Sequence, residues 1–138
     1  MGNNAEIKFE AGKLSHEEIQ AILEAVPIDI SFVDSNNVVK YFNKLSKSRI
    51  FVRPKEAIGR RVQQCHPQKS LHAVNQIIED FRNGKRDVAE FWINVKGRFV
   101  HIRYFAIRNA SGKYLGCLEV TQDITEIKNL SGEKRLLE

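Results

Sequence analysis

Hydrophobic residues follow two rhythms along this chain, and the switches between them outline its elements. Ile19, Ile22, Leu23 and Val26 recur at three- and four-residue spacing, as one face of a helix requires. Ser15 and Glu18 form a capping-box pattern at its start: a serine oxygen takes an orphan helix N–H and the glutamate returns the bond. Pro27 stops it, because the residue before proline is pushed out of helical space. From Ile28 to Asp34 apolar and polar residues alternate, which predicts a strand. Ser35-Asn36-Asn37 is turn chemistry, and Val38-Val39-Lys40-Tyr41-Phe42 returns as a second strand. Residues 43–66 are polar and broken. Pro54 and Gly59 there bracket one short helix. Over 70–81 the helical rhythm comes back in Leu71, Val74, Ile77, Ile78 and Phe81, and Asn83-Gly84 closes it. Three strands follow at 88–95, 98–108 and 114–122, separated by Lys96-Gly97 and by Asn109-Ala110-Ser111-Gly112. In the middle strand Phe99, His101, Arg103 and Phe105 share one face, and Val100, Ile102, Tyr104 and Ala106 the other. Asp123-Ile124-Thr125-Glu126 repeats the capping-box pattern and predicts an exit helix.

Helix, two strands, short helices, a long helix, three strands and a helix make an α+β domain. The expected core is a five-stranded antiparallel sheet with helices packed on one face, flanked by N- and C-terminal helices. Residues 1–14 are expected to be a flexible lead-in and 15–130 the domain. Within it, 15–26 is the N-terminal flanking helix and 123–130 the start of the exit helix. Residues 131–138 are a tail or truncated linker helix. Leu137-Glu138 has the look of a cloning scar, which points to a domain excised from a longer protein.

Composition adds exclusions. A chain of 138 residues suits one domain, and 42% hydrophobic with 28% charged residues is ordinary for a soluble globular protein. No apolar run approaches the roughly 20 residues of a membrane helix, and no signal-peptide segment opens the chain, so a cytoplasmic location without membrane partner is expected. The net charge of +5 is dispersed over many segments, without a basic helix or zinc-finger spacing, so no nucleic-acid partner is expected. Cys65 and Cys117 are too few for a four-thiolate site and read as part-buried thiols.

Four stretches carry a resemblance. They are Phe32-Val33-Asp34 with its return strand, Ile58-Gly59-Arg60 followed by Cys65-His66-Pro67, Gly84, and Asn109 to Gly116 ending in Gln122-Asp123-Ile124-Thr125-Glu126. In this order and spacing they resemble a PAS domain. The closer match, through Pro27-Ile28-Asp29-Ile30, Arg49-Ile50-Phe51, Cys65 to Ser70 and Arg103-Tyr104-Phe105-Ala106, is to a PAS module at the C-terminus of bacterial and archaeal proteins. Those proteins also carry a hemerythrin-like domain and a domain of unknown function. The resemblance implies the PAS fold and a sensory module, not an enzyme, in a longer parent protein. It implies an apolar pocket for a small molecule and relay of the change to a terminal helix, often in a homodimer formed through flanking helices. Asp123, Thr125 and Glu126 are then the signal-relay residues.

The candidate chemistry is weighed on the same residues. Light-sensing PAS domains of the LOV type need an adduct-forming cysteine where Val62 stands. Cys65, three positions on, turns to another part of the pocket, leaving noncovalent flavin as the second cofactor candidate. Haem is the first, with a histidine as axial ligand. His72 lies about 100° from Leu71 on the helical wheel, off the apolar stripe, so it is expected at an edge. His66 precedes Pro67 and faces the pocket or bonds nearby backbone. For a pocket holding no cofactor, Phe32, Phe42, Val74, Ile78, Phe91 and Tyr104 are the expected lining, although such aromatics more often simply fill a core. Trp92 points away from Phe91. Arg103 and Glu119 are expected to pair across strands. The residue sets of a glycosidase, a serine hydrolase or a phosphate-binding glycine loop are missing from the sequence.

Overall fold

The computed structural model describes residues 5–45 and 49–137. Where the sequence predicts a loose lead-in, β1 (Glu6–Phe9) and β2 (Gly12–Ser15) form an antiparallel hairpin with Ile7 opposite Leu14. A Lys13–Glu6 ion pair at 3.4 Å spans it. The short strands and their charged residues hide its period-two pattern. Residues 1–4 of the expected lead-in lie outside the described residues. The expected capping box forms at α1 (His16–Ala25): Glu18 N–H donates to Ser15 Oγ at 3.0 Å, and Ser15 N–H to Glu18 Oε1 at 2.8 Å.

The sheet is built from β3 (Asp29–Asp34), β4 (Val39–Phe42), β5 (Val88–Val95), β6 (Arg98–Arg108) and β7 (Tyr114–Asp123), in the order β4-β3-β7-β6-β5, antiparallel throughout. Asp34 Oδ1 organises the first turn by accepting from the N–H groups of Asn36 and Val38. Lys96 and Gly97 both have positive φ (49° and 79°), the two-residue turn whose twist matches antiparallel strands. At Gly116, φ is 152° and a Cβ would sit 2.1 Å from the Val33 carbonyl oxygen, so β3 and β7 approach each other over a residue that must lack a side chain.

Between the hairpin and the long helix the chain makes two 3-10 turns, Lys55–Ala57 and Val62–Cys65. Then α2 (Gln68–Arg82) buries Ile78 and Phe81. Its last turn is closed by Arg108, which donates to the Phe81 carbonyl at 2.7 Å. Ile78 belongs to one core cluster with Val33, Val39, Phe42, Ala57 and Val62, and Phe81 to another with Ala89 and Cys117. Asn43, fully buried, knots the other end of the sheet. Its Nδ2 donates to the carbonyls of Leu23 (2.8 Å) and Ile28 (3.1 Å), and its Oδ1 accepts from Ile30 N–H at 2.9 Å. Arg49 donates to the Asn43 carbonyl at 2.6 Å, which fixes the connector to the same knot.

The expected exit helix over 123–130 is absent. After β7, among the described residues, only one 3-10 turn, Ile127–Asn129, forms, and residues 130–137 have no regular structure, with Leu130, Leu136 and Leu137 largely exposed. Gly132 has φ +65°, which breaks the backbone there. Glu138, the last residue of the expected tail, lies outside the described residues.

Candidate functional site: a cleft between connector, long helix and sheet

Cross-strand register assigns each sheet residue a face. Ser31 lies opposite Glu119, Val33 opposite Cys117, Tyr104 opposite Glu119 and Phe91 opposite Ile102, so all of these face α2. Two connected spaces lie on this side. A small inner void of about 30 Å³, room for a water molecule or so, is bounded by Ser31, Val33, Val39, Val62, Ile78 and Cys117. An open cleft of about 610 Å³ is bounded by the connector at Phe51, Val52, Cys65 and Pro67, by Ala73 of α2, and by Phe91 and Ile102 of the sheet. Arg53, His66, Val74, Ile77, Tyr104 and Glu119 form walls of both. The cleft falls in the size range of small-molecule sites.

Polar groups concentrate where void and cleft meet. Arg53 Nη2 donates to Glu119 Oε1 at 2.8 Å, both side chains nearly buried, and Tyr104 Oη donates to Glu119 Oε2 at 3.0 Å. Burial, and then the Glu119 charge, push the Tyr104 phenol up, so it stays a neutral donor. Burial holds the His66 imidazole below its ordinary value against the pull of Glu119, so it is neutral near pH 7. Burial pushes the Cys117 thiol up to about 12, which leaves it protonated and inert. Arg49 borders neither space; burial pulls its guanidinium down, against the charges of Asp29, Glu119 and Glu24. Arg53 Nε is buried and has no acceptor among the described residues.

The expected lining divides. Val74 and Tyr104 border both spaces, Ile78 the void and Phe91 the cleft, its ring centroid 5.6 Å from that of Tyr104. Phe42 is buried under Arg49, whose guanidinium lies 5.3 Å from the ring, but borders neither space. Phe32 lies on the opposite face, against Gly116. The polar positions of β3 point inward instead: Asp29 accepts from Ile50 N–H at 2.8 Å, and Ser31 accepts from Arg49 at 3.4 Å. Of the histidines, His66 borders the site and His72 is exposed, away from it. Val62 borders the void and Cys65 the cleft. The expected Arg103–Glu119 pair is overturned. Arg103 is opposite Val120 and lies over Phe105, on the other face from Glu119. The sequence reading gave Glu119 only as a structural partner of Arg103 and did not single out Arg53 for the site. Glu119 carried a signal, since it alternates in step with Cys117 and Thr121; Arg53 sits in an aperiodic connector and carried none.

The relay candidates meet at the end of β7. Asp123 Oδ1 accepts from Thr125 N–H (3.0 Å) and Thr125 Oγ1 (2.6 Å), and its Oδ2 from Arg98 Nε at 2.6 Å. Those bonds, from Thr125 first and Arg98 second, hold the Asp123 carboxyl down at about 2. Arg98 also donates to Glu126 at 2.7 Å, and Phe99 N–H donates to Thr125 Oγ1 at 2.8 Å. Both acids of the expected capping box also bind Arg98 of β6, and although Asp123 keeps the cap-like bond from Thr125 N–H, the residues that follow form a 3-10 turn rather than a helix.

Among the described residues no helix is long and apolar enough to cross a membrane, and no group of three or more His, Cys, Asp or Glu could hold a metal ion. The model of a family described as "PAS domain" matches residues 19–125. No curated protein matches the chain. Among solved structures, the C-terminal domain of a protein from Streptococcus mutans is 34% identical, with a TM-score of 0.88 over 94% of this chain and 100% of that one. The PAS domain of a protein from Colwellia psychrerythraea, at 19% identity, has a TM-score of 0.56 over 80% of this chain and 97% of that one. A sensory box sensor histidine kinase from Vibrio cholerae, at 13% identity, has a TM-score of 0.56 over 78% and 89%. These last two share the fold.

Proposed function

The chain belongs to the PAS domain family, and from that premise we propose that it is a sensory module that takes a small molecule into the cleft and relays its presence along β7. The observation that carries this reading is the position of Glu119. Its carboxylate joins Arg53 of the connector to Tyr104 of the sheet at the cleft, and Asp123 follows four residues later on the same face of the same strand. A ligand that redraws the bonds of Glu119 pulls on the strand that ends in the Asp123–Thr125–Arg98 knot. The residues beyond Glu126 deliver the change to whatever follows in the parent protein, or to a second copy of the chain. In this reading the relay needs no preformed exit helix. The flanking-helix homodimer keeps α1 as its support, where Ile22 is exposed.

The test fills the cleft. Val74→Phe should shift the amide resonances of Asp123, Thr125 and Glu126 as well as those of the cleft walls. Changes that stop at the cleft would overturn the relay. The second reading is a haem- or flavin-holding redox or gas sensor, and the neutral imidazole of His66 at the cleft wall favours the haem form. A Soret band in freshly purified protein, altered more by His66→Ala than by His72→Ala, would establish it. Flavin bands would establish the flavin form.

A further inference from the structure

We propose that the cleft selects an uncharged, mainly apolar molecule carrying one carbonyl-type acceptor for the Nε–H of Arg53; this rests on the reading of the cleft as a ligand site. Three observations lead there. The walls outside the polar cluster are apolar or aromatic, with Val74, Ile77, Phe91 and Ile102 prominent, so the body of a fitting molecule is apolar. The charges at the cleft wall already meet each other, since Arg53 is paired with Glu119 at 2.8 Å. An added anion has to displace Glu119 or share its low-dielectric surroundings, and an added cation faces the Arg53 guanidinium. Either costs more than the ion gains. The remaining unmet demand is one donor, since Arg53 Nε is buried without an acceptor while Arg53 borders both void and cleft. A buried N–H of a charged group left unpaired is costly, and a carbonyl oxygen meets it without adding charge. Among the described residues two other buried side-chain polar atoms lack partners, Arg103 Nε and Gln63 Oε1, and neither residue borders these spaces.

Four molecules of nearly the same shape separate the possibilities: acetophenone, benzoate, benzamidinium and α-methylstyrene. Each is titrated into the isotope-labelled protein while the resonances of Val74, Ile77, Ile102 and the Arg53 Nε–H are followed. Acetophenone should bind about tenfold more tightly than either ion and about fivefold more tightly than the hydrocarbon. In Arg53→Lys the preference for the ketone over α-methylstyrene should vanish while the hydrocarbon binds as before. If that variant does not fold, the ranking on the unaltered protein decides alone. Benzoate or benzamidinium binding as tightly as acetophenone would overturn the inference and leave the ligand-site reading standing. Should none of the four move the cleft resonances at millimolar concentration, the ligand-site reading falls and the inference with it.

Discussion

Single side chains at the end of β7 do more than their local motif implies. Thr125 Oγ1 accepts from Phe99 N–H and donates to Asp123, so it joins the start of β6 to the end of β7. Thr125→Val keeps the shape and orphans a part-buried N–H, so it should cost about 1–2 kcal/mol. The urea midpoint should fall with an unchanged m value, and Thr125→Ser should recover most of the loss. Gly116 is the other sensitive point. Gly116→Ala drives a Cβ to 2.1 Å from the Val33 carbonyl at φ 152°. It should destabilise by roughly 2 kcal/mol or more, visible as a lower melting temperature. A surface glycine such as Gly112, also at positive φ but with open space around it, supplies the control.

At the scale of elements, two identical-looking signals had opposite outcomes. Ser15/Glu18 and Asp123/Glu126 both read as capping boxes. The first opens α1, because no other element competes for its side chains. In the second, Asp123 keeps its bond from Thr125 N–H, but both acids also pair with Arg98, from a strand distant in sequence, and a local pattern cannot show that partner. The same limit explains β3. Alternation correctly predicted the strand, but the usual assignment of apolar residues to the inside placed Phe32 in the pocket. Asp29 and Ser31 point inward because the connector supplies Ile50 N–H and Arg49 as partners, residues that no periodicity links to β3. The rhythm of α2, by contrast, puts Val74 and Ile78 on the side that borders the void and leaves His72 outside, since a helical stripe needs no distant partner. Asn43 is where elements are joined. Asn43→Ala removes the side-chain bonds to Leu23, Ile28 and Ile30 at once and should cost about 3 kcal/mol. Amide exchange should accelerate first in the last turn of α1.

For the molecule as a whole, acid should act in two steps at two separate places. His66 has a folded value below its ordinary 6.5, so the unfolded chain binds protons more readily. Its contribution is complete above about pH 6.5 and declines as pH falls below it. Asp123 has a folded value of about 2 against an ordinary 3.8. Its contribution is complete above the upper figure and is lost as pH drops toward the lower one. Melting temperature against pH should therefore fall in both windows. His66→Gln should flatten the upper one and Asp123→Asn the lower, each without affecting the other, since one group lies at the cleft and the other at the strand end.

Trp92, the chain's single tryptophan, pairs with His101 on the sheet face away from α2 and is 59% exposed. The protein's intrinsic fluorescence is thus an optical probe of the wrong side of the sheet. Its emission should resemble that of indole in water and be quenched readily by iodide. A cleft ligand should leave it dark to the event, and only something that covers the outer face should shift it to the blue. Occupancy of the cleft and contact at the outer face can then be followed in one sample by two separate signals, nuclear shifts for the first and tryptophan light for the second.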